Sequence, residues 1–335
     1  MRRHLLAALA LLLAGPAAAE PIVDGVAEGH ILPGFARLDA AAAALDEAAA
    51  ADCAAENPAL RDAYQAAFDA WMGVSHLRFG PTERESRGFV LAFWPDGKGA
   101  TPKALRRLIS GDFPLDDPAE FEKVSIAARG FFALDALLYD ADFTHAEPEA
   151  RRCALVRAVA KDAARIAAAL DADWRETEAP LLRAAGANDA YRSREEALRA
   201  LLTQLSAGLE FTADARLGQP MGAFDRPRPQ RAEARRSGRP LRNVQLSLAA
   251  LHDLANRLAA ALPPEARGEI DAAFARAEAQ AARLDDPDFA AVETPMGRLR
   301  LESLQQAIRA ARRVAIGALG PALGVAAGFN AADGD

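Results

Sequence analysis

Of five histidines, only His30, His76, His145 and His252 lie beyond the N-terminal leader, and their spacing limits the metal and acid–base chemistry the chain can carry. A helical His-Glu-x-x-His run would set two imidazoles and a carboxylate base on one face for metal-assisted hydrolysis. None of the four stands in such a run, and a lone histidine in a helical segment is more often a core or surface residue than a ligand. The Gly-x-Ser-x-Gly turn of serine hydrolases and glycine-rich phosphate loops are also absent, so no catalytic residue is assigned.

Arg2, Arg3 and His4 precede the apolar run Leu5 to Ala14, and Ala17-Ala18-Ala19 offers a small-residue cleavage site before Glu20. Residues 1–19 therefore read as an export signal, and the expected location is the periplasm. No later stretch lacks charges for the roughly 20 residues that span a bilayer, so no membrane span is expected. A net charge of −7 argues against nucleic acid or anionic lipid as the main partner. In an oxidising compartment two unpaired thiols are uncommon, so Cys53 and Cys153 are expected to be bridged. Two buried free thiols are the alternative, if their Cα atoms stand too far apart.

The elements that must position any site are helices. Alanine, leucine and arginine dominate, and no stretch alternates apolar with polar residues as a strand would. The fold class is all-α, with two helical-bundle domains in an arrangement that suggests a duplicated four-helix bundle. Leu32, Phe35, Leu38, Ala42 and Leu45 mark an amphipathic helix over 30–51, and Asn57-Pro58 starts another. Glycines and prolines make 80–117 a long irregular loop with a short helix near 103–109. Helices follow over 118–139 and 147–184. Gly186-Ala187-Asn188-Asp189 is the expected boundary between an N-terminal bundle, 20–187, and a C-terminal bundle, 188–335, which opens on the capping box Ser193-x-x-Glu196. In the later loop 218–238, Arg226, Arg228, Arg231, Arg235 and Arg236 are either a solvated basic stretch or an anion contact.

Arg129-Gly130-Phe131-Phe132-Ala133-Leu134-Asp135-Ala136-Leu137-Leu138-Tyr139 resembles the signature of the imelysin family, Gly-x-His-x-x-Glu followed by an apolar and aromatic run. Gly130, Phe132 and Asp135 occupy the three motif positions, so an apolar ring stands where the family has an imidazole, and a shorter carboxylate where it has glutamate. The resemblance extends through Leu77-Arg78-Phe79-Gly80-Pro81, Phe93-Trp94-Pro95-Asp96, Arg216-Leu217-Gly218, Arg236-Ser237-Gly238-Arg239, Asn243, and the C-terminal Gly328-Phe329-Asn330-Ala331-x-Asp333-Gly334-Asp335. It implies an all-helical fold, a place in the bacterial envelope, a link to iron uptake and a classification among metallopeptidases.

Arg78, Asp96, Asp135, Arg239, Asn243, Asn330 and Asp333 are the expected ligand-binding residues, because they are polar groups at loops or helix ends where backbone can approach a ligand. They serve equally well as polar pairs that lock two bundles together. The C-terminal Asn330 to Asp335 segment is expected to pack between the bundles and close one side of a cleft containing Asp135. With Phe132 in the histidine place, no metal and no cofactor are expected. The leading expectation is a periplasmic, imelysin-like binding protein linked to iron uptake that turns nothing over. A metal-dependent peptidase is the runner-up, and a structural or partner-binding envelope module is the third reading.

Overall fold

A computed structural model of the chain describes residues 19–325. Residues 1–18 of the expected leader, and the tail carrying Asn330 and Asp333 that was expected to close the cleft, lie outside them. Among the described residues there is no strand, only an isolated bridge between Ala223 and Arg226. The N-terminal rod comprises α1 (Ala19–Val26), a π-turn (Ala27–Ile31) and α2 (Leu32–Ala51). Phe35, Leu38, Ala42, Leu45 and Ala49 recur at three- and four-residue spacing along α2, and all are fully buried. The next helix, α3 (Pro58–Met72), starts where the Asn57 side chain accepts from the Ala59 amide at 2.9 Å, with proline pre-set at the first helical position.

The stretch expected to be irregular is more helical than its glycines and prolines suggest, holding α4 (Arg87–Leu91) and α5 (Ala100–Ser110). The single helix expected over 118–139 is broken into α6 (Pro118–Phe121) and α7 (Gly130–Tyr139), because Gly130 takes φ +67°, which no continuous helix contains. After α8 (Ala141–Thr144), a long helix runs as α9 (Glu149–Asp173), a π-turn (Trp174–Glu178) and α10 (Ala179–Arg183). Cys53 and Cys153 are joined, with Cα atoms 5.3 Å apart across 100 residues of sequence. The bridge ties the α2–α3 corner to α9, and chain-entropy reasoning makes it worth about 4 to 5 kcal/mol.

The second half begins with α11 (Arg194–Phe211), capped by Ser193, which continues through a π-turn (Thr212–Leu217) into α12 (Gly218–Met221). The arginine-rich loop, α13 (Pro240–Leu258), α14 (Pro264–Ala282) and α15 (Pro295–Ala322) complete the described chain. In the first half α2 packs on α3 and α9, and α7 packs on α9. In the second, α14 packs on α13 and α15, while α11 packs on α13 and α15. The two groups meet where α1 lies on α11 and α13 and where α3 lies on α13, and one apolar core runs through both.

Candidate functional site

The motif helix α7 is fixed from outside before it can present anything. Arg129, immediately before it, makes a buried two-point pair with Asp162 of α9, Nε to Oδ2 at 2.8 Å and Nη2 to Oδ1 at 2.9 Å. Gly130 then passes so close to the α4 backbone that an added Cβ would lie 2.3 Å from the carbonyl oxygens of Val90 and Leu91. The motif glycine is therefore a requirement of close backbone approach as well as of positive φ.

From that fixed start, Phe132 and Asp135 lie three residues apart on one helical face. Phe132 stands edge-on to Phe68 with ring centres 5.5 Å apart, and stacked with Trp94 at 6.4 Å. Asp135 is 1% exposed. Its Oδ1 accepts from the Ser237 hydroxyl at 2.5 Å and the Ser237 amide at 3.1 Å, so the motif carboxylate is held by the second half of the chain. Oδ2 meets the Arg236 guanidinium only at 3.8 Å, beyond hydrogen-bond reach. Burial pushes the Asp135 carboxyl above the ordinary range, against the opposing pull of the Ser237 bonds and of Arg236.

Phe132, Asp135 and Arg236 line a cavity of about 200 Å³ that also touches Phe93, Trp94, Asp96, Arg231 and Arg235. Trp94 also lines a second cavity of about 390 Å³, together with Trp71, His76, Arg78, Phe211 and Arg216. Of the expected site residues, Asp135 and Asp96 therefore share one cavity and Arg78 stands at the other. The Asp96 carboxylate is engaged at 2.8 Å by the amides of both Ala100 and Thr101, so it caps α5. Arg78 pairs with Glu83 at 2.8 Å at the surface.

Arg239 and Asn243 do come together, as the middle of a buried polar chain that joins the two helical groups. Arg239 donates to Asn243 Oδ1 at 3.1 Å and to Asp69 Oδ1 of α3 at 2.6 Å. Asn243 donates to Glu233 at 3.0 Å, and Glu233 accepts from Arg216 at 2.8 Å. Burial of Asp69 acts to raise its carboxyl, but the bonds from Arg242 and Arg239 outweigh it and hold the group below the ordinary range.

Two groups were invisible as a pair in the sequence. His30, in the first π-turn, and His76, after α3, meet Nε2 to Nε2 at 2.9 Å, and His30 Nδ1 reaches Asp253 of α13 at 2.7 Å. Forty-six residues separate the two histidines, both are buried as core residues, and their contact is one that only helix packing creates. Ser237 was also passed over. Its place beside Arg236 and Arg239, in a segment that resembles the family, was the available signal.

A family model described as imelysin matches residues 31–315. An imelysin-like protein from Psychrobacter arcticum is 18% identical, with 94% of this chain and 98% of that one covered, at a TM-score of 0.76. A protein from Parabacteroides distasonis named as an iron-regulated protein A precursor is 12% identical, with 90% and 95% covered, at a TM-score of 0.73. At these identities the likeness establishes the fold. No curated protein matches the chain.

Proposed function

The chain belongs to the imelysin family, and from that premise we propose that it is an exported, iron-related envelope protein that holds a small polar ligand in the Asp135 cavity and turns nothing over. The observation that carries this reading is the buried Asp135 carboxylate, gripped across the two helical groups through Oδ1 while Oδ2 has no hydrogen-bond partner among the described residues. The disulfide and a leader-like N-terminus support export, and no described helix is long and apolar enough to cross a membrane. The iron link rests on the family and on the name of the Parabacteroides distasonis protein, which shares the fold.

The metal implied by a metallopeptidase classification does not fit this motif. One carboxylate remains where the family offers an imidazole as well, the imidazole place is filled by a phenyl ring, and Asp135 already spends one oxygen on Ser237. Three or four protein ligands are the usual requirement for a transition metal, and no group of three candidate donors exists among the described residues.

Fractionation tests the reading. The periplasmic fraction should contain a chain beginning at Glu20, and its amount should rise when iron is withheld. An uncleaved chain confined to the cytosol, or a level indifferent to iron, contradicts it.

A further inference from the structure

The Asp135 cavity is lined by two arginines whose side chains have no partner among the described residues. Arg231 and Arg235 both line it, both are exposed, and neither side chain has a hydrogen bond or ion pair with a described residue. This happens in a chain where 47 acidic residues outnumber 40 basic ones. The carboxylates in the same cavity do not answer them, since Asp96 is engaged by the two amides that start α5 and Asp135 lies buried at the floor.

The loop that displays the two arginines is built. Glu233, midway between them, points inward to its buried pair with Arg216 at 2.8 Å. Arg298 donates to the carbonyls of Met221 at 2.8 Å and Ala223 at 3.1 Å. Gly222, at φ +52°, lets the chain turn so tightly that a Cβ there would lie 2.5 Å from the Arg226 carbonyl oxygen. Arg231 closes one 3₁₀ turn (Pro229–Arg231) and Arg235 opens the next (Arg235–Ser237), so the charges stand on separate turns. Each turn thus presents one guanidinium of its own, a group that pairs with a carboxylate two bonds at a time.

At the floor, Asp135 Oδ2 is an acceptor that calls for an O–H or N–H donor. The volume of about 200 Å³ falls below the roughly 300 to 1,000 Å³ of drug-sized sites, which restricts the occupant to a few carbons. Resting on the reading of this cavity as the ligand site, we infer that the occupant is a small dicarboxylate carrying a hydroxyl group, with its carboxylates on Arg231 and Arg235 and its hydroxyl donating to Asp135.

Isothermal titration of the full mature chain with malate, succinate and inorganic phosphate tests this, because succinate is malate without the hydroxyl. Malate should saturate at one per chain, with succinate at least about tenfold weaker and phosphate weaker still. The exposed double substitution Arg231→Gln with Arg235→Gln should retain its fold and lower malate affinity at least about tenfold. Asp135→Ala, which leaves neither an acceptor nor a donor for the hydroxyl, should bring malate and succinate within about threefold of each other. Equal wild-type affinity for malate and succinate, phosphate as the tightest of the three, unchanged malate binding by the double arginine variant, or no saturable heat with any probe overturns the inference. Malate binding together with normal growth of an Asp135→Asn strain under iron limitation upholds the ligand class and removes the iron role, so the two failures are distinguishable.

Discussion

Ser237 grips Asp135 from the opposite half of the chain, donating from its hydroxyl at 2.5 Å and its amide at 3.1 Å to the same carboxylate oxygen. Ser237→Ala removes the hydroxyl and leaves the amide. A hydrogen bond to a charged acceptor is worth about 1.5 to 3 kcal/mol, so the variant should lose stability of that order in urea unfolding. Since the Ser237 bond pulls the Asp135 carboxyl down against burial, its loss should move that carboxyl further up, which carbon-detected titration reads directly. An unchanged titration would show that the contact does not govern the carboxylate.

Gly130→Ala should be among the most damaging single-methyl changes in the protein. The new Cβ would lie 2.3 Å from two carbonyl oxygens and would sit at φ +67°. Left-handed backbone costs a non-glycine residue about 1 to 2 kcal/mol, and the collision adds to it, so a total loss of at least about 3 kcal/mol is expected in chemical unfolding. A variant within about 0.5 kcal/mol of wild type would show that α4 yields freely.

The His30–His76 pair predicts an acid-sensitive fold. Burial, then the neighbouring His30 and Arg216, hold His76 well below the ordinary histidine range, with Asp253 opposing. The unfolded chain takes up a proton near pH 6.5 that the folded chain takes only at lower pH. Stability therefore declines as pH falls below about 6.5, by up to about 1.4 kcal/mol per unit. Asp253 is held below the ordinary carboxylate range by His30 and Arg257 despite its burial, so its contribution persists above about pH 4 and is lost only at lower pH. Urea midpoints at pH 7.5, 6.5 and 5.5 should fall for wild type and fall less for His76→Gln. Parallel declines would assign the effect elsewhere.

The motif position itself is open to a reversal. Purified protein dialysed against a weak chelator should carry no stoichiometric iron or zinc, since Phe132 supplies no lone pair to pair with Asp135. Elemental analysis finding one equivalent, lost on Asp135→Asn, would contradict the account of this site.

Local chemistry was readable in advance, and long-range contact was not. The Asn57 and Ser193 caps, the α2 stripe and the bridge between Cys53 and Cys153 each follow from residue type, spacing or compartment, and each is present. Asp135 was legible because its motif has a fixed register. What escaped notice depends on which helix faces which: His76 meets His30 only because the N-terminal rod crosses the end of α3. The same holds for Glu233, whose inward turn onto Arg216 and Asn243 is what leaves Arg231 and Arg235 outward. Asp96, a polar residue beside proline and glycine, lines the Asp135 cavity, and the part its sequence setting does not show is that its carboxylate accepts from the α5 amides.

The most direct measurement of the central claim is growth of a deletion strain under iron limitation, complemented either by the wild-type gene or by Asp135→Asn at matched periplasmic levels. The Asp135 cavity as the working site predicts that the wild-type gene restores growth and that Asp135→Asn, folded and exported, does not. Full restoration by Asp135→Asn would contradict it.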